Sequence, residues 1–327
     1  MAVAGHTATV DKRSSRQGLS RRRDFPVKAI LLIGKNGQLG WELQNTLLPL
    51  GRVIALDRTQ MDLTQPDAIR KVVRDLRPDI IVNAAGYTAV DKAEQEPELA
   101  MLVNATAPGV MAEEAKRLNA LLVHYSTDYV FDGTLGQAYT EEDAPNPVNL
   151  YGKSKLEGER AIIAVNCAHL ILRTSWIYSL RGTNFVLTML KLAREKKEIS
   201  VVNDQIGSPT AARELAKTTS ALLGKLNASE SHADVFHLSA SGYASRFEFA
   251  KAIIEIAKQH SVTWSGWASV RATTTENYPL PAARPLNAST RKEKILRVFG
   301  VEMTAWEHQL SDHLKEVMLT ANGNAPV

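Results

Sequence analysis

Five apolar runs, KAILLIG, RVIALD, DIIVNAAG, ALLVHYSTDYVF and HLILRTSWIY, recur through the first half of the chain without alternating polar and apolar residues. A strand with one wet face alternates, so unbroken runs of this length belong to strands buried on both faces. Between them lie QLGWELQNTLL, PDAIRKVVRDL, ELAMLVNATAPGVMAEEAKRL and SKLEGERAIIA, whose apolar residues follow the i, i+3, i+4 spacing of helices. Strands alternating with helices make a parallel sheet covered on both sides, which predicts an α/β, Rossmann-type doubly wound domain. This domain is assigned to residues 28–175, with VFHLS, near 235–239, returning to the sheet as a late strand. Beyond 175 the rhythm loosens, and 176–321 is read mainly as a smaller C-terminal α/β substrate-binding lobe.

The first run ends in GKNGQLG, which spaces Gly34, Gly37 and Gly40 between a strand and a helix. Glycines there let the backbone turn tightly and approach a pyrophosphate, whose charge then faces the free amides of the helix N-terminus. Asp57 ends VIALD, 23 residues after Gly34, close to the spacing at which an acid grips an adenosine ribose. Its neighbour Arg58 could pair with a 2′-phosphate instead, so NADH and NADPH both stay open. Asp62 and Leu63 of MDLT are candidates for the adenine edge, and the small residues of NAAGYT, Ala85 and Gly86 among them, leave room for a cofactor across the sheet.

Thr127 stands at the end of the fourth run, and LYGKSKLEGE places Tyr151 and Lys155 four apart on one side of a helix. A phenol near pKa ~10 is a poor acid-base at neutral pH, and lowering it by ~3 units takes ~4 kcal/mol. One ammonium ~4 Å away, at an effective dielectric near ~20, supplies about that much. Thr127, Tyr151 and Lys155 therefore form a proton-transfer set with a physical logic. The remaining SKLEGE is read as a solvated helix face.

Charge and cysteine content narrow the setting. The net charge of +4 is concentrated: residues 1–28 hold seven bases against two acids, which leaves −1 for everything after them. The body is nearly neutral, so nucleic acid is dropped as a partner. Residues 1–27 are read as a flexible basic extension, with a transit peptide as a second possibility. The arginine pair of RRDF is followed by an apolar run too short for an export signal, and cleavage would remove the first strand. No membrane span is seen, and the single cysteine, Cys167, read as a packed residue, fits a reducing cytoplasm. His124, His169 and His237 show no metal spacing and are read as packing or internally satisfied residues.

Taken together, GKNGQLGWEL, RPDIIVNAAGYTAVDKAE, HYSTDYVFDG, YGKSKLEGE, RTSWIY and NDQIGSPT resemble the extended short-chain dehydrogenase/reductase superfamily, and within it the reductases of dTDP-4-keto-6-deoxy sugars, from about residue 28 to 316. The resemblance implies NADPH or NADH as cofactor, a dTDP-sugar as substrate, and a monomer or homodimer. It makes Tyr151 the proton donor, Lys155 the lysine that holds the cofactor ribose, and Thr127 the assisting hydroxyl. Gly37, Gln38 and Leu39 would hold the phosphates, and Asp57 the ribose. Gly86, Tyr87, Thr88 and Tyr125 would line the nicotinamide side, and Thr127, Asp128 and Trp176 would contact the sugar. Some relatives bind Mg²⁺ through carboxylates at a subunit contact. Glu42 matches one of these, but Arg213 stands where another belongs, so no metal is predicted. Two other readings share the fold: a nucleotide-sugar epimerase or dehydratase, and a non-catalytic regulatory subunit. Asp128 is followed by Tyr129 rather than a second acid, which argues against dehydration.

Overall fold

The computed structural model describes residues 1–2, 28–226, 232–260 and 266–323, with side chains to 317. All but the first two residues of the basic extension assigned to 1–27 lie outside the described residues. The sheet opens with β1 (Ala29–Ile33), α1 (Gln38–Thr46), β2 (Arg52–Leu56), α2 (Pro66–Leu76) and β3 (Ile80–Asn83). Two short helices, α3 (Val90–Ala93) and α4 (Pro97–Met101), lead through one widened π-type turn at Leu102–Thr106 into α5 (Ala107–Leu118). Next come β4 (Leu121–Thr127), α6 (Leu150–Val165) and β5 (His169–Thr174).

The second half is built from shorter pieces. In chain order they are β6 (Ile177–Tyr178), α7 (Phe185–Glu195), β7 (Glu198–Val202), β8 (Ile206–Gly207), β9 (Thr210–Ala211) and α8 (Ala212–Gly224). They continue with β10 (Ala233–His237), β11 (Ala244–Ser245), α9 (Arg246–His260), β12 (Ser269–Thr273), α10 (Glu293–Phe299) and α11 (Trp306–Gly323).

Six strands form one parallel sheet in the order β10-β5-β4-β3-β1-β2. Its faces explain the unbroken apolar runs. Ile30, Leu32, Val82, Val123 and Leu170 pack into one core, while their neighbours Leu31, Ile33, Ile81, Leu122 and Ile171 pack into the other. Each such side chain contributes ~1.5–3 kcal/mol by leaving water, so a charge at Leu31 or Leu32 would unseat the central strand. The winding reverses between β1 and β3, and ligands of such folds bind in the crevice that this reversal opens beyond the carboxyl ends of the strands.

The chain does not divide in space where it divides in rhythm. The first face is covered by α1 and also by Leu215, Leu222 and Leu223 of α8 and Ile295 and Phe299 of α10. Part of 176–321 therefore completes the nucleotide domain, because an amphipathic helix states that it must be covered but not by which surface. A separate core holds the lobe together: Val186 and Leu190 of α7, Phe249 and Ile253 of α9, and Trp306 and Leu310 of α11. Among the described residues, no helix is long and apolar enough to cross a membrane.

Candidate active site

A cleft of about 790 Å³ lies at the carboxyl ends of β1, β3 and β4, between sheet and lobe. Every residue singled out above as catalytic, cofactor-binding or substrate-binding lines it, except Gly40. Gly40 acts from beneath: a Cβ there would stand 2.0 Å from the carbonyl oxygen of Gly34, so only glycine lets α1 begin this close to the turn. Gly34 itself has φ +90°. Gly37 is the N-cap of α1 and supplies no side-chain cap, so the first-turn amides face the cleft unpartnered by side chains. That cradle fits a dinucleotide pyrophosphate. The Gln38 side-chain oxygen is engaged with the lobe, accepting from Ser179 and Asn184 at 3.1 Å each, which leaves its backbone amide and its Nε2 as donors toward a phosphate.

At the end of β2, Asp57 accepts hydrogen bonds from the Thr59 hydroxyl and amide and pairs with Lys35 at 3.2 Å. These hold its carboxyl down at about 2, Thr59 contributing most. Arg58 beside it is open to solvent, 4.0 Å from Asp62. Asp62 caps its own turn by accepting from the amide and hydroxyl of Thr64.

Beyond β3, the loop carrying Gly86, Tyr87 and Thr88 is held by Asn104. Its Oδ1 accepts from the Tyr87 amide at 2.8 Å, and its Nδ2 donates to the Tyr87 carbonyl and to Ser154 Oγ of α6, both at 2.9 Å. Asn104 sits in the widened turn before α5, a distortion that often marks functional sites. Periodicity hides it, because the surrounding sequence reads as one helix.

Asn149 caps α6, its Oδ1 accepting from the Gly152 amide at 2.7 Å, and this fixes Tyr151 in the first turn. Tyr151 meets Tyr129 edge-on, and Thr127 lies near enough to act on its hydroxyl. Thr127 in turn donates to Asp128 at 3.0 Å and accepts from the Tyr129 amide at 3.1 Å. Asp128 also accepts from Ser175 at 2.6 Å. Burial raises the Asp128 carboxyl to about 6 against those bonds. The SKLEGE segment is not the solvated face expected of it: Ser154, Lys155, Leu156, Gly158 and Glu159 are all buried. The i, i+4 rows that bring Tyr151 and Lys155 together also turn this stretch onto the sheet.

The electrostatic expectation for Tyr151 is reversed. Burial pushes its hydroxyl above the ordinary phenol value, because the Lys155 ammonium is turned inward onto the Tyr125 carbonyl at 2.6 Å. Burial lowers Lys155 itself to about 8, opposed by Glu159 one turn on. Tyr125 contributes that carbonyl; its hydroxyl donates to Thr219 of α8 in the core at 2.8 Å.

Trp176 reaches the cleft from a left-handed backbone, φ +45°, a strained conformation for so large a residue. Arg246, the first residue of α9, lies over its ring, Cζ 3.6 Å from the centroid. Arg246 lines the cleft, with Tyr129 and Asp128 acting on its charge. No local motif marks it. His237 and His169 lie buried in the sheet, bonded to main-chain oxygens at 3.1 and 2.9 Å, and Cys167 is buried. Arg213 pairs with Glu42 and Glu316, and the described residues contain no cluster of metal-ligating groups.

The comparisons with known proteins agree with this geometry. A family model, the RmlD substrate binding domain, matches residues 28–319. The dTDP-4-dehydrorhamnose reductase of Salmonella typhimurium is 46% identical over 297 residues, 89% of this chain and 98% of that protein. The Burkholderia thailandensis protein of the same name is 41% identical over 88% of this chain and 99% of its own. Among solved structures, dTDP-4-dehydrorhamnose reductase from Bacillus anthracis in complex with NADP is similar at 37% identity and TM-score 0.81, covering 89% of this chain and 99% of that one. A Thermus thermophilus UDP-glucose 4-epimerase, at 16% identity and TM-score 0.73, shares the fold.

Proposed function

The chain belongs to the RmlD substrate binding domain family, and from that premise we propose that it reduces the C4 keto group of dTDP-4-dehydro-6-deoxy-L-mannose with NADPH or NADH to give dTDP-L-rhamnose. The observation that carries this reading is the convergence of Thr127, Tyr151 and Lys155 on one cleft with an uncapped glycine turn at its far end.

When bound, NADPH or NADH supplies the hydride that C4 receives. Tyr151 delivers the proton to the developing alkoxide. Its raised pKa suits that task, because a donor must arrive protonated at neutral pH. Thr127, which donates to Asp128 and accepts from the Tyr129 amide, would turn its one hydroxyl proton from Asp128 to the same oxygen. Lys155, one helical turn away with its ammonium turned onto the Tyr125 carbonyl, would hold a ribose hydroxyl of the bound cofactor. Trp176 flanks the sugar, and Arg246 offers charge to the diphosphate. A cytoplasmic setting suits a supply of reduced cofactor, and a nearly neutral body gives no reason to invoke nucleic acid.

The test follows NADPH and NADH absorbance separately with enzymatically prepared dTDP-4-keto-L-rhamnose. Tyr151→Phe should slow turnover ~10²-fold or more while leaving cofactor affinity within a few-fold. Undiminished turnover in that variant would remove Tyr151 from the mechanism.

A further inference from the structure

Lys155 has an unusual inner partner. Its Nζ lies 3.2 Å from Nε2 of His124, a ring with no exposed surface in the middle of β4. The other ring nitrogen, Nδ1, lies 3.1 Å from the side-chain amide of Asn83 at the end of β3. Asn83 also reaches forward, its Oδ1 accepting from the Ala85 amide at 3.2 Å in the loop that borders the cleft. A buried histidine that only packed would have no reason to face a buried lysine from one nitrogen and a buried amide from the other.

We propose that His124 is a positioning residue for Lys155: held by Asn83, its ring supplies the acceptor that keeps the lysine ammonium charged and aimed at the cleft. This rests on the reductase reading and deepens it. An ammonium has three N–H groups and no lone pair. One goes to the Tyr125 carbonyl and one to His124, which leaves one for a hydroxyl bound in the cleft, on the side of Gly86. Charged Lys155 requires Nε2 of His124 to be bare, so the ring proton sits on Nδ1 and the Asn83 amide must turn over from its orientation in the structure, where Nδ2 faces the ring and Oδ1 faces Ala85. A neutral lysine allows the opposite tautomer, with the Asn83 amide as the structure has it and its oxygen serving Ala85. The charge on Lys155 is thereby linked to a backbone amide of the cofactor loop.

Burial, and next the lysine, hold His124 far below the ordinary imidazole value, so the ring stays neutral and able to accept. The other titratable groups around Lys155 are Tyr151 and Glu159 on its own helix, with Asp128 beside Tyr151. Glu159 is neutralised by Arg173 of β5 at 2.6 Å. None of these supplies the lysine with a neutral acceptor.

The experiment uses the full chain, with His124→Phe to keep ring volume without an acceptor and His124→Gln to keep an acceptor. Turnover is measured against pH, and NADPH Kd against pH by fluorescence. In His124→Phe, kcat should fall ~10-fold, and the alkaline limb of kcat/KM should move about one pH unit lower, because the ammonium has lost a charge-assisted bond. His124→Gln should recover both to within about threefold. An unchanged alkaline limb in His124→Phe, or equal impairment of the two variants, overturns the proposal. Should His124→Phe fail to fold, Asn83→Ala releases the ring without replacing it and should move the limb the same way; an unmoved limb there also overturns it. Failure of the wild type to reduce the keto sugar defeats the reductase reading instead, and the pH dependence of NADPH Kd, which involves no sugar, still judges the role of His124.

Discussion

The two halves of the cleft are made of different material. The cofactor half is backbone: a glycine turn, the uncapped start of α1, and a loop whose amide and carbonyl are clamped by Asn104. The sugar half is side chains from distant parts of the chain, with Asp128 and Ser175 at strand ends, Trp176 on a left-handed residue, and Arg246 at the start of α9. Backbone sites are built by a few consecutive residues and tolerate little change in them. Side-chain sites need the whole fold to assemble and can be altered one group at a time.

If the halves are separable, the largest effect away from the reacting hydroxyls belongs to Arg246. Replacing it with methionine keeps most of the contact with Trp176 and removes the charge. A charge-assisted bond to a diphosphate is worth ~1.5–3 kcal/mol, so the sugar-nucleotide KM should rise ~10–100-fold. NADPH Kd should stay within about twofold. Steady-state kinetics beside a fluorescence titration measures both, and equal losses in the two would show that the halves are coupled through α9.

A smaller effect tests how the sugar half is held in shape. A Cβ on Gly207 would stand 2.6 Å from Cε2 of Trp176, so Gly207→Ala must push the indole. Overpacking of this kind costs ~1–3 kcal/mol. Part of that should appear as a ~3–10-fold rise in sugar-nucleotide KM, with kcat nearly unchanged and the thermal midpoint lowered. A lowered midpoint with an unmoved KM would mean that Trp176 serves the lobe core and not the sugar.

The same contrast explains what the sequence reveals. Unbroken apolar runs give the buried parallel strands because Leu31 and Leu32 face opposite cores, and no other arrangement hides both. GKNGQLG is readable because its geometry depends on its own seven residues. Tyr151 and Lys155 are readable because one helix carries both. Arg246 and Asn104 are not: their meaning lies in Trp176, some 70 residues earlier, and in Tyr87, across a loop. His124 is packed and internally satisfied as its apolar run suggests, but such a run carries no sign of what its two nitrogens face. The inward turn of Lys155 is equally absent from any spacing, and it reverses the pKa argument that spacing suggests.

The smallest effect probes the edge of the cofactor half, the one place where it too depends on exposed side chains. On the proposed reading Asp57 would meet the cofactor ribose, and alone it would repel a 2′-phosphate. Its charge is met by Lys35 at 3.2 Å and by the Thr59 hydrogen bonds, which hold its carboxyl near 2 and keep it ionised. Arg58 projects beside it into solvent, 4.0 Å from Asp62, and can turn toward a phosphate. An exposed pair of this kind is worth ~0.2–1 kcal/mol and weakens with salt. Arg58→Ala should therefore lower kcat/KM for NADPH by ~2–5-fold, leave NADH unchanged, and lose most of that difference in ~0.5 M salt. An equal loss for both cofactors would assign Arg58 to the adenine they share, and the boundary of the backbone-built half would move outward to include it.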